Sequence, residues 1–293
     1  MASPGKFAAR VAMAALLEQV HAICREVHRV SADDTDGVHD MRVASRRLRA
    51  VLTEFKPLFP AKPRKAIAGR GRHITQLLGR PRELDVDLKR IKALRGCLDP
   101  ALQPACDRAA AAIAVRRREA APACAEAARL AADSRLNKEL ARLSVGVRTD
   151  NPQFVKRAPA RLARRFDLVT RHFDAWCDSQ QSAQRHQVRI ALKKLRYACE
   201  AFQPFYEAAM NDFIAGLKEV QGYLGTWNDA RMLIQLIHEL PADVLGLEAR
   251  SALTGMIEAD MDQHGAAFDE GARTLFAPDQ RAQIHSFLRT ACR

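Results

Sequence analysis

Residues 39–59 read HDMRVASRRLRAVLTEFKPLF, and residues 186–206 read HQVRIALKKLRYACEAFQPFY. The second stretch repeats the first at an offset of 147 residues without a gap. The identical pairs are His39/His186, Arg42/Arg189, Ala44/Ala191, Leu48/Leu195, Arg49/Arg196, Phe55/Phe202 and Pro57/Pro204, and the pairs that keep a basic residue are Arg46/Lys193 and Arg47/Lys194. Two such stretches indicate a duplicated structural unit.

A second matched block follows each stretch at nearly the same offset. Arg72-x5-Leu78-Gly79-x3-Glu83 corresponds to Lys218-x5-Leu224-Gly225-x3-Asp229. Two matched blocks in the same order predict a single domain over 1–293, made of two repeats of roughly 7–145 and 152–293. We expect these repeats to be related by a pseudo-two-fold axis.

The composition predicts an all-α fold. Apolar residues make up 48% of the chain and recur at spacings of three and four, while β-branched residues are few. About ten to twelve helices are expected. Helix breaks are predicted where Pro and Gly cluster, near 57–63, 79–81, 99–104, 146–152, 203–204, 225 and 241. Gly79 and Gly225 are predicted to end their helices in the left-handed conformation.

Each repeated stretch has two different faces when it is placed on a helix at 100° per residue. The basic stripe, about 80° wide, consists of His39, Arg42, Arg46 and Arg49 in the first copy and of His186, Arg189, Lys193 and Arg196 in the second. The opposite, apolar face consists of Met41, Ala44, Leu48, Val51, Leu52 and Phe55 in the first copy and of Val188, Ala191, Leu195, Ala198, Cys199 and Phe202 in the second. The apolar faces are therefore predicted to build the core.

The basic stripes have no acidic residues to compensate them. No Asp or Glu occurs in 41–53 or in 187–199, although like charges at i,i+3 and i,i+4 destabilise a helix. A single basic helix is usually a solvated surface, but two copies in register favour an external anion. Arginine suits phosphate because its planar guanidinium can donate two parallel hydrogen bonds.

The net charge also favours a polyanionic partner. Lys and Arg total 47 against 34 Asp and Glu, a formal charge of +13. Residues 238–293 hold nine acidic and five basic residues, so residues 1–237 carry +17. Nucleic acid, anionic lipid and phosphate polymers are the partner classes that such a charge attracts.

The positions around the two glycines have alternative interpretations. Glu83, Asp85 and Asp229 either cap the helix that follows or brace the basic side chains. Arg72 and Lys218 lie two turns before the glycines and are expected to add to the cationic surface, as are Arg47 and Lys194. Arg80 and Arg82 are weaker candidates.

No metal, cofactor or membrane span is predicted. The seven cysteines are scattered without a C-x-x-C motif, and most are expected to be small buried residues in a reducing compartment. The remaining histidines have no ligand spacing. The N-terminus has no apolar signal core, and no apolar run approaches the ~18 residues of a membrane helix. We expect a cytoplasmic protein.

The motifs resemble the CHAD family, the conserved histidine α-helical domain. The resemblance lies in H-x-x-R-V-x-x-R-R-L-R at 39–49, H-x-x-R-I-x-x-K-K-L-R-Y at 186–197, L-G with R-E-L-D-V at 78–86, and N-D-A at 228–230. It spans nearly the whole chain. Glu83 stands where the family usually has Asp. The chain shows no E-x-E-x-K, the signature of the triphosphate-tunnel enzymes often fused to such domains.

The resemblance implies two four-helix-like halves with a basic central groove between them. It also implies binding of inorganic polyphosphate in that groove and targeting to polyphosphate granules in bacteria. The residues implied for binding are His39, Arg42, Arg46, Arg49, His186, Arg189, Lys193 and Arg196, with Arg47, Lys194, Arg72 and Lys218 as weaker members. Glu83, Asp85 and Asp229 are supporting acids.

We therefore expect a non-catalytic polyphosphate-binding protein. Nucleic-acid binding is the first alternative, because charge alone does not distinguish phosphate polymers. A phosphoanhydride-processing enzyme is a weaker alternative, and a scaffold that uses the acidic segment 238–293 to bind a protein is a third. The aromatic residues Tyr197, Phe205, Tyr206, Tyr223 and Trp227 are expected in the core or in groove walls rather than in a base-stacking platform.

Overall fold

The computed structural model describes residues 4–206 and 209–290, and this part of the chain is helical without strands. Its thirteen α-helices are α1 (Pro4–Arg25), α2 (Val27–Ser31), α3 (Thr35–Glu54), α4 (Ala61–Leu77), α5 (Gly79–Arg95), α6 (Gln103–Glu119), α7 (Ala121–Ala132), α8 (Arg135–Val145), α9 (Pro152–Ser179), α10 (Ser182–Phe202), α11 (Ala209–Glu239), α12 (Leu247–Leu275) and α13 (Pro278–Thr290). The predicted all-α class is confirmed.

The repeated stretches form α3 and α10, and both end in the same way. A short 3₁₀ turn follows each helix, at Lys56–Leu58 and Gln203–Phe205. Pro57 and Pro204 stand at the second position of these turns, where their missing N–H costs nothing. The rings of Phe55 and Phe202, an equivalent pair, lie 5.2 Å apart.

The apolar faces of α3 and α10 are buried as predicted. Every residue assigned to those faces is at most 5% exposed. The helices pack against each other, α3 also packs against α1 and α4, and α10 packs against α9 and α11. The 3.6-residue period thus fixes which side of each helix faces the protein interior.

The start of α3 is set by a cap and by a close approach. Oδ1 of Asp34 accepts hydrogen bonds from the backbone N–H groups of Asp36 and Gly37, at 2.8 and 3.0 Å, and so satisfies two of the free amides of the first turn. A Cβ atom at Gly37 would lie 2.6 Å from Cβ of Arg29. Glycine is therefore required here, because α2 and α3 approach too closely for a side chain.

The predicted left-handed glycines are wrong, since no described glycine has a positive φ. At the first site α4 ends at Leu77 and α5 begins at Gly79, whereas α11 continues through Gly225 without a break. Pro81 explains the difference: it has no N–H to donate to the carbonyl of Leu77. The position equivalent to Pro81 is Trp227, whose N–H is available to continue the helix.

Two hydrophobic clusters form the core, and each draws helices from both predicted repeats. The larger cluster contains side chains from α1, α3, α4 and α7–α13. The smaller one contains α5 and α6 packed on the C-terminal part of α11 and the N-terminal part of α12. The long helices α11 and α12 therefore pass through both clusters. The pseudo-two-fold relation and the bounds of the repeats stay predictions.

The helical segment Pro4–Ser31 is the one described stretch that is long and apolar enough to cross a membrane on those criteria alone. Core helices pass the same test, and Ala8, Leu16, Val20 and Ile23 of this segment are at most 3% exposed in the structure.

The cysteines follow the sequence expectation only in part. Cys106, Cys124 and Cys199 are buried, but Cys24 and Cys97 are exposed. Cys177 is half-buried, and Cys292 lies outside the described residues.

Candidate polyanion-binding site

The basic faces of α3 and α10 meet where the two helices pack. The positive charge of Arg46 acts on Arg42 of its own helix and on Arg189 and Lys193 of α10. The charge of Arg42 acts in turn on Lys193. We call these four residues the cationic cluster. The neighbours across the two helices follow the repeat. Arg46 lies near Arg189 and Arg42 lies near Lys193, and Arg42 is equivalent to Arg189 as Arg46 is to Lys193.

Among the residues that the structure describes, no counter-ion contacts the cationic cluster. Within 4–206 and 209–290, none of its side chains forms a salt bridge. The Nε atoms of Arg42 and Arg189 are buried and have no hydrogen-bond partner there. Leaving a buried donor unpaired costs about 1–3 kcal/mol, and here the same cost occurs at equivalent positions of both repeats.

Burial and mutual repulsion make these charges costly in the free protein. Desolvation, then the charges of Arg189 and Arg46, lowers the pKa of Lys193 to about 7. Desolvation, then Arg46, lowers the pKa of Arg42 to about 10. Desolvation also lowers the pKa of Arg189. An anion bound among these groups would favour their charged forms.

Further cations extend the cluster along α3. Arg49 lies near Arg46 and near Arg72 of α4, and desolvation with these two charges lowers its pKa. At the other end the exposed His39 lies near Arg82 of α5, and desolvation and that charge lower the pKa of the imidazole. The positive surface therefore reaches from Arg72 to Arg82.

Two of the three predicted supporting acids lie near the cluster. Glu83 favours the charged form of Arg42, and Asp229 favours those of Arg189 and Lys193. Neither forms a salt bridge within the described residues.

Asp85 has a different place, because it accepts a hydrogen bond from Nε of Arg117 at 2.6 Å. Arg117, at 6% exposed, also donates to Asp33 at 3.0 Å. These three residues link α5, α6 and the turn before α3 in a separate buried ion cluster. Arg117 lies outside both repeated stretches, so no sequence pattern marks it.

Arg47, Arg196 and Lys218 also point away from the cationic cluster. Nε of Arg47 donates to Glu200 at 3.3 Å. Arg196 donates to Gln221 at 2.9 Å and to Glu200 at 3.2 Å. Arg47 and Lys218 line a cavity of about 360 Å³ that also contains Glu200. Two of the predicted cations, Arg47 and Lys218, thus belong to a mixed-charge pocket. Arg196 pairs with the glutamate of that pocket, and Lys194 is exposed.

Comparison with known proteins identifies the family. The model of the family described as CHAD domain matches residues 14–238. The chain belongs to the CHAD family. Its fold is similar to the crystal structure of the CHAD domain from the plant Ricinus communis, with a TM-score of 0.59 and 22% identity over 96% of this chain and 91% of that one. It is similar to PptA from Streptomyces chartreusis, with a TM-score of 0.59 and 17% identity over 90% and 99% of the two chains. No curated protein matches the sequence.

This CHAD domain also places Arg231 near the cationic cluster, which the sequence analysis missed. Arg231 lies close enough to Arg189 to disfavour its charged form. Together with His186 and Arg189 it lines a cavity of about 310 Å³. The repeat gave no signal for it, because the equivalent position in the first copy is Asp85.

The aromatic rings near the cluster are already covered by arginines. The guanidinium carbon of Arg185 lies 4.9 Å from the ring centroid of Trp176 and 4.8 Å from that of Trp227. The guanidinium carbon of Arg196 lies 4.6 Å from the ring centroid of Tyr197. One face of Trp227 and one of Tyr197 are therefore occupied, and a base could not intercalate on those faces.

Proposed function

We propose that this CHAD domain binds inorganic polyphosphate in a basic groove formed where α3 and α10 meet, without catalysing its turnover. The observation that carries the proposal is the pair of buried Nε groups of Arg42 and Arg189, for which the described residues provide neither a hydrogen-bond acceptor nor a contacting counter-ion. Phosphate oxygens match the planar fork of a guanidinium group and can accept two parallel hydrogen bonds from it. A bound polyanion would supply both the missing acceptors and the missing charge.

The geometry supports a linear phosphate polymer more than a nucleic acid. Cations line both helices, but the nearby rings of Trp227 and Tyr197 each carry an arginine on one face. Single-stranded nucleic acids usually gain affinity from bases stacked on exposed rings. Polyphosphate has no bases and requires only cations and hydrogen-bond donors.

Titration with long-chain polyphosphate at several salt concentrations tests the proposal. Neutralising four phosphates should make log affinity fall against log salt with a slope of about −3, as for other polyanions. The double variant Arg42→Ala, Arg189→Ala should lose at least about tenfold in affinity, since each arginine donates charge-assisted hydrogen bonds. Its circular dichroism should stay helical, because both side chains lie off the apolar faces.

The matched control is Arg135→Ala with Arg142→Ala on α8, which removes the same two charges from side chains that are 81% and 66% exposed. Equal affinities of the double variant and the wild type would contradict the assigned groove. Displacement of bound polyphosphate by RNA or duplex DNA at equal phosphate concentration would favour nucleic acid instead.

The absence of catalysis and the cellular location belong to the same proposal. The described residues contain no group of three or more His, Cys, Asp or Glu side chains placed to hold a metal ion. Release of phosphate from polyphosphate by the wild-type protein in the presence of Mg²⁺ would instead indicate an enzyme. We further propose a cytoplasmic protein at polyphosphate granules: a fluorescent fusion should co-localise with granules, and the double variant should not.

A further inference from the structure

A cavity of about 310 Å³ opens where α10 begins, against the middle of α11. Arg189 of the cationic cluster forms part of its wall, so the cavity continues the proposed groove. Its other polar walls include Ser182, His186, Asn228 and Arg231.

The Asp, Glu, Lys and Arg residues among those that line this cavity are all arginines: Arg185, Arg189 and Arg231. Arg231 is exposed, forms no salt bridge within the described residues and lies near Arg189. The first turn of α10 has no side-chain cap, so the backbone N–H groups of Ser182 and Ala183 have no acceptor within the helix. Both residues line the cavity. The positive end of the helix dipole adds to the two guanidinium groups.

The positive surface ends at this cavity. Arg185, in the same wall, lies 3.6 Å from Asp269 of α12, and Asp262 of the same helix is also near it. Asp229 is the acid near Arg189. A polyanion that follows the cations from α3 to α10 would therefore meet carboxylates on α12 if it continued past the cavity.

We infer that this cavity binds the terminal phosphate of a polyphosphate chain, an inference that rests on the proposed function. A terminal phosphate has a second ionisable oxygen, with a pKa of about 6 in phosphate monoesters. It therefore carries more charge and accepts more hydrogen bonds than an internal phosphate. The convergence of Arg189, Arg231 and the first amides of α10 suits that end group, whereas the cationic cluster suits the singly charged internal phosphates.

The experiment compares two short linear polyphosphates of the same length, one with free ends and one with both ends converted to phosphoramidates. Wild-type protein should bind the free-ended chain about tenfold more tightly, the gain expected from charge-assisted hydrogen bonds to one additional charge. Arg231→Gln should reduce this preference to about twofold or less, because it weakens binding of the free-ended chain more than binding of the capped chain. Arg135→Gln is the charge-matched control and should keep the preference.

Equal affinity of the wild-type protein for the two chains would overturn the inference and leave the proposed function standing. A preference that Arg231→Gln leaves intact would overturn the assignment of the end phosphate to this cavity. Failure of the wild-type protein to bind either chain, or long-chain polyphosphate, would overturn the proposed function and this inference together. Because Arg231 is exposed, its replacement should leave the fold unchanged, which circular dichroism checks.

Discussion

Lys193 is the side chain through which pH should control binding. Its pKa of about 7 results from burial and from the neighbouring charges of Arg189, Arg46 and Arg42. In the free protein it loses its proton as the pH rises above 7, whereas bound phosphates would hold the proton. Affinity for polyphosphate should therefore fall between about pH 7.5 and 9.5, by at most about tenfold per pH unit for one proton.

Binding titrations across that range at constant salt measure the effect. His39 does not contribute to the pH dependence in this range, because the ordinary pKa of histidine already lies below it and the pKa of His39 is lowered further. The variant Lys193→Arg should bind with little pH dependence, and Lys193→Gln should bind more weakly and also without it. A slope that persists in both variants would show that another group titrates.

The buried carboxyl of Asp87 should make the free energy of unfolding depend on pH. Desolvation, with the nearby acids Asp229 and Glu83, raises the pKa of this 5%-exposed carboxyl to about 7. A group with a raised pKa binds a proton on folding, so stability falls as the pH rises from about 4 to 7 and stays low above 7. Asp87→Asn should therefore stabilise the protein more at pH 8 than at pH 5, by roughly 1–3 kcal/mol.

Thermal unfolding at the two pH values checks this difference. Asp107→Asn is the control, because Asp107 pairs with Arg95 and its pKa is lowered. That carboxyl is charged at both pH values, so its replacement should change stability equally at each. An equal effect of Asp87→Asn at pH 5 and pH 8 would contradict the assigned protonation state.

Some residues of the site could be predicted from the sequence, but the partners of others could not. The stripe on α3 and α10 follows from helical periodicity, so Arg42, Arg46, Arg189 and Lys193 could be found from the sequence. The partner of a side chain depends on which helix packs beside it. Arg196 and Glu200 are four residues apart on α10, so their pairing follows from helical periodicity. The pairings of Arg47 with Glu200 and of Arg117 with Asp85 join different helices and could not be predicted.

At the scale of elements, the two faces of α3 and α10 should respond differently to mutation. Leu48 and Leu195 are 2% and 0% exposed, so Leu48→Ala or Leu195→Ala should lower the free energy of unfolding by about 2–5 kcal/mol. Arg42→Ala removes a half-buried charge that no described residue neutralises by contact. It should lower the free energy of unfolding little or even raise it. Urea denaturation measures these differences, and similar losses for Leu48→Ala and Arg42→Ala would contradict the assignment of faces.

Helix ends were harder to predict than helix faces. Glycine suggested the same left-handed end at 79 and 225, but φ stays negative at both. The decisive residue lies two positions further on, where Pro81 interrupts the hydrogen bonds and Trp227 does not. Sequence similarity between repeats therefore predicts shared packing faces better than shared breaks, because one N–H group is enough to join two helices.

For the whole molecule, the two shared cores predict cooperative unfolding. Leu233 lies in the smaller cluster and Trp176 in the larger one, and α11 and α12 connect the two. The Trp227→Phe background leaves Trp176 as the one tryptophan of the sequence. In that background, Leu233→Ala should shift the fluorescence transition and the helical circular dichroism by the same amount of denaturant. An earlier dichroism step without a change in Trp176 would show that the smaller cluster unfolds separately.

The unneutralised contact between α3 and α10 has a consequence for the protein before it meets any ligand. Like charges push the two helices apart at their shared interface, so the free molecule holds the two repeats together against its own repulsion. A polyanion seated there would act as a staple between them, and at a ligand concentration about 100 times the dissociation constant it would add roughly 2.7 kcal/mol of stability. The melting temperature of the protein should thus rise with the concentration of the phosphate polymer.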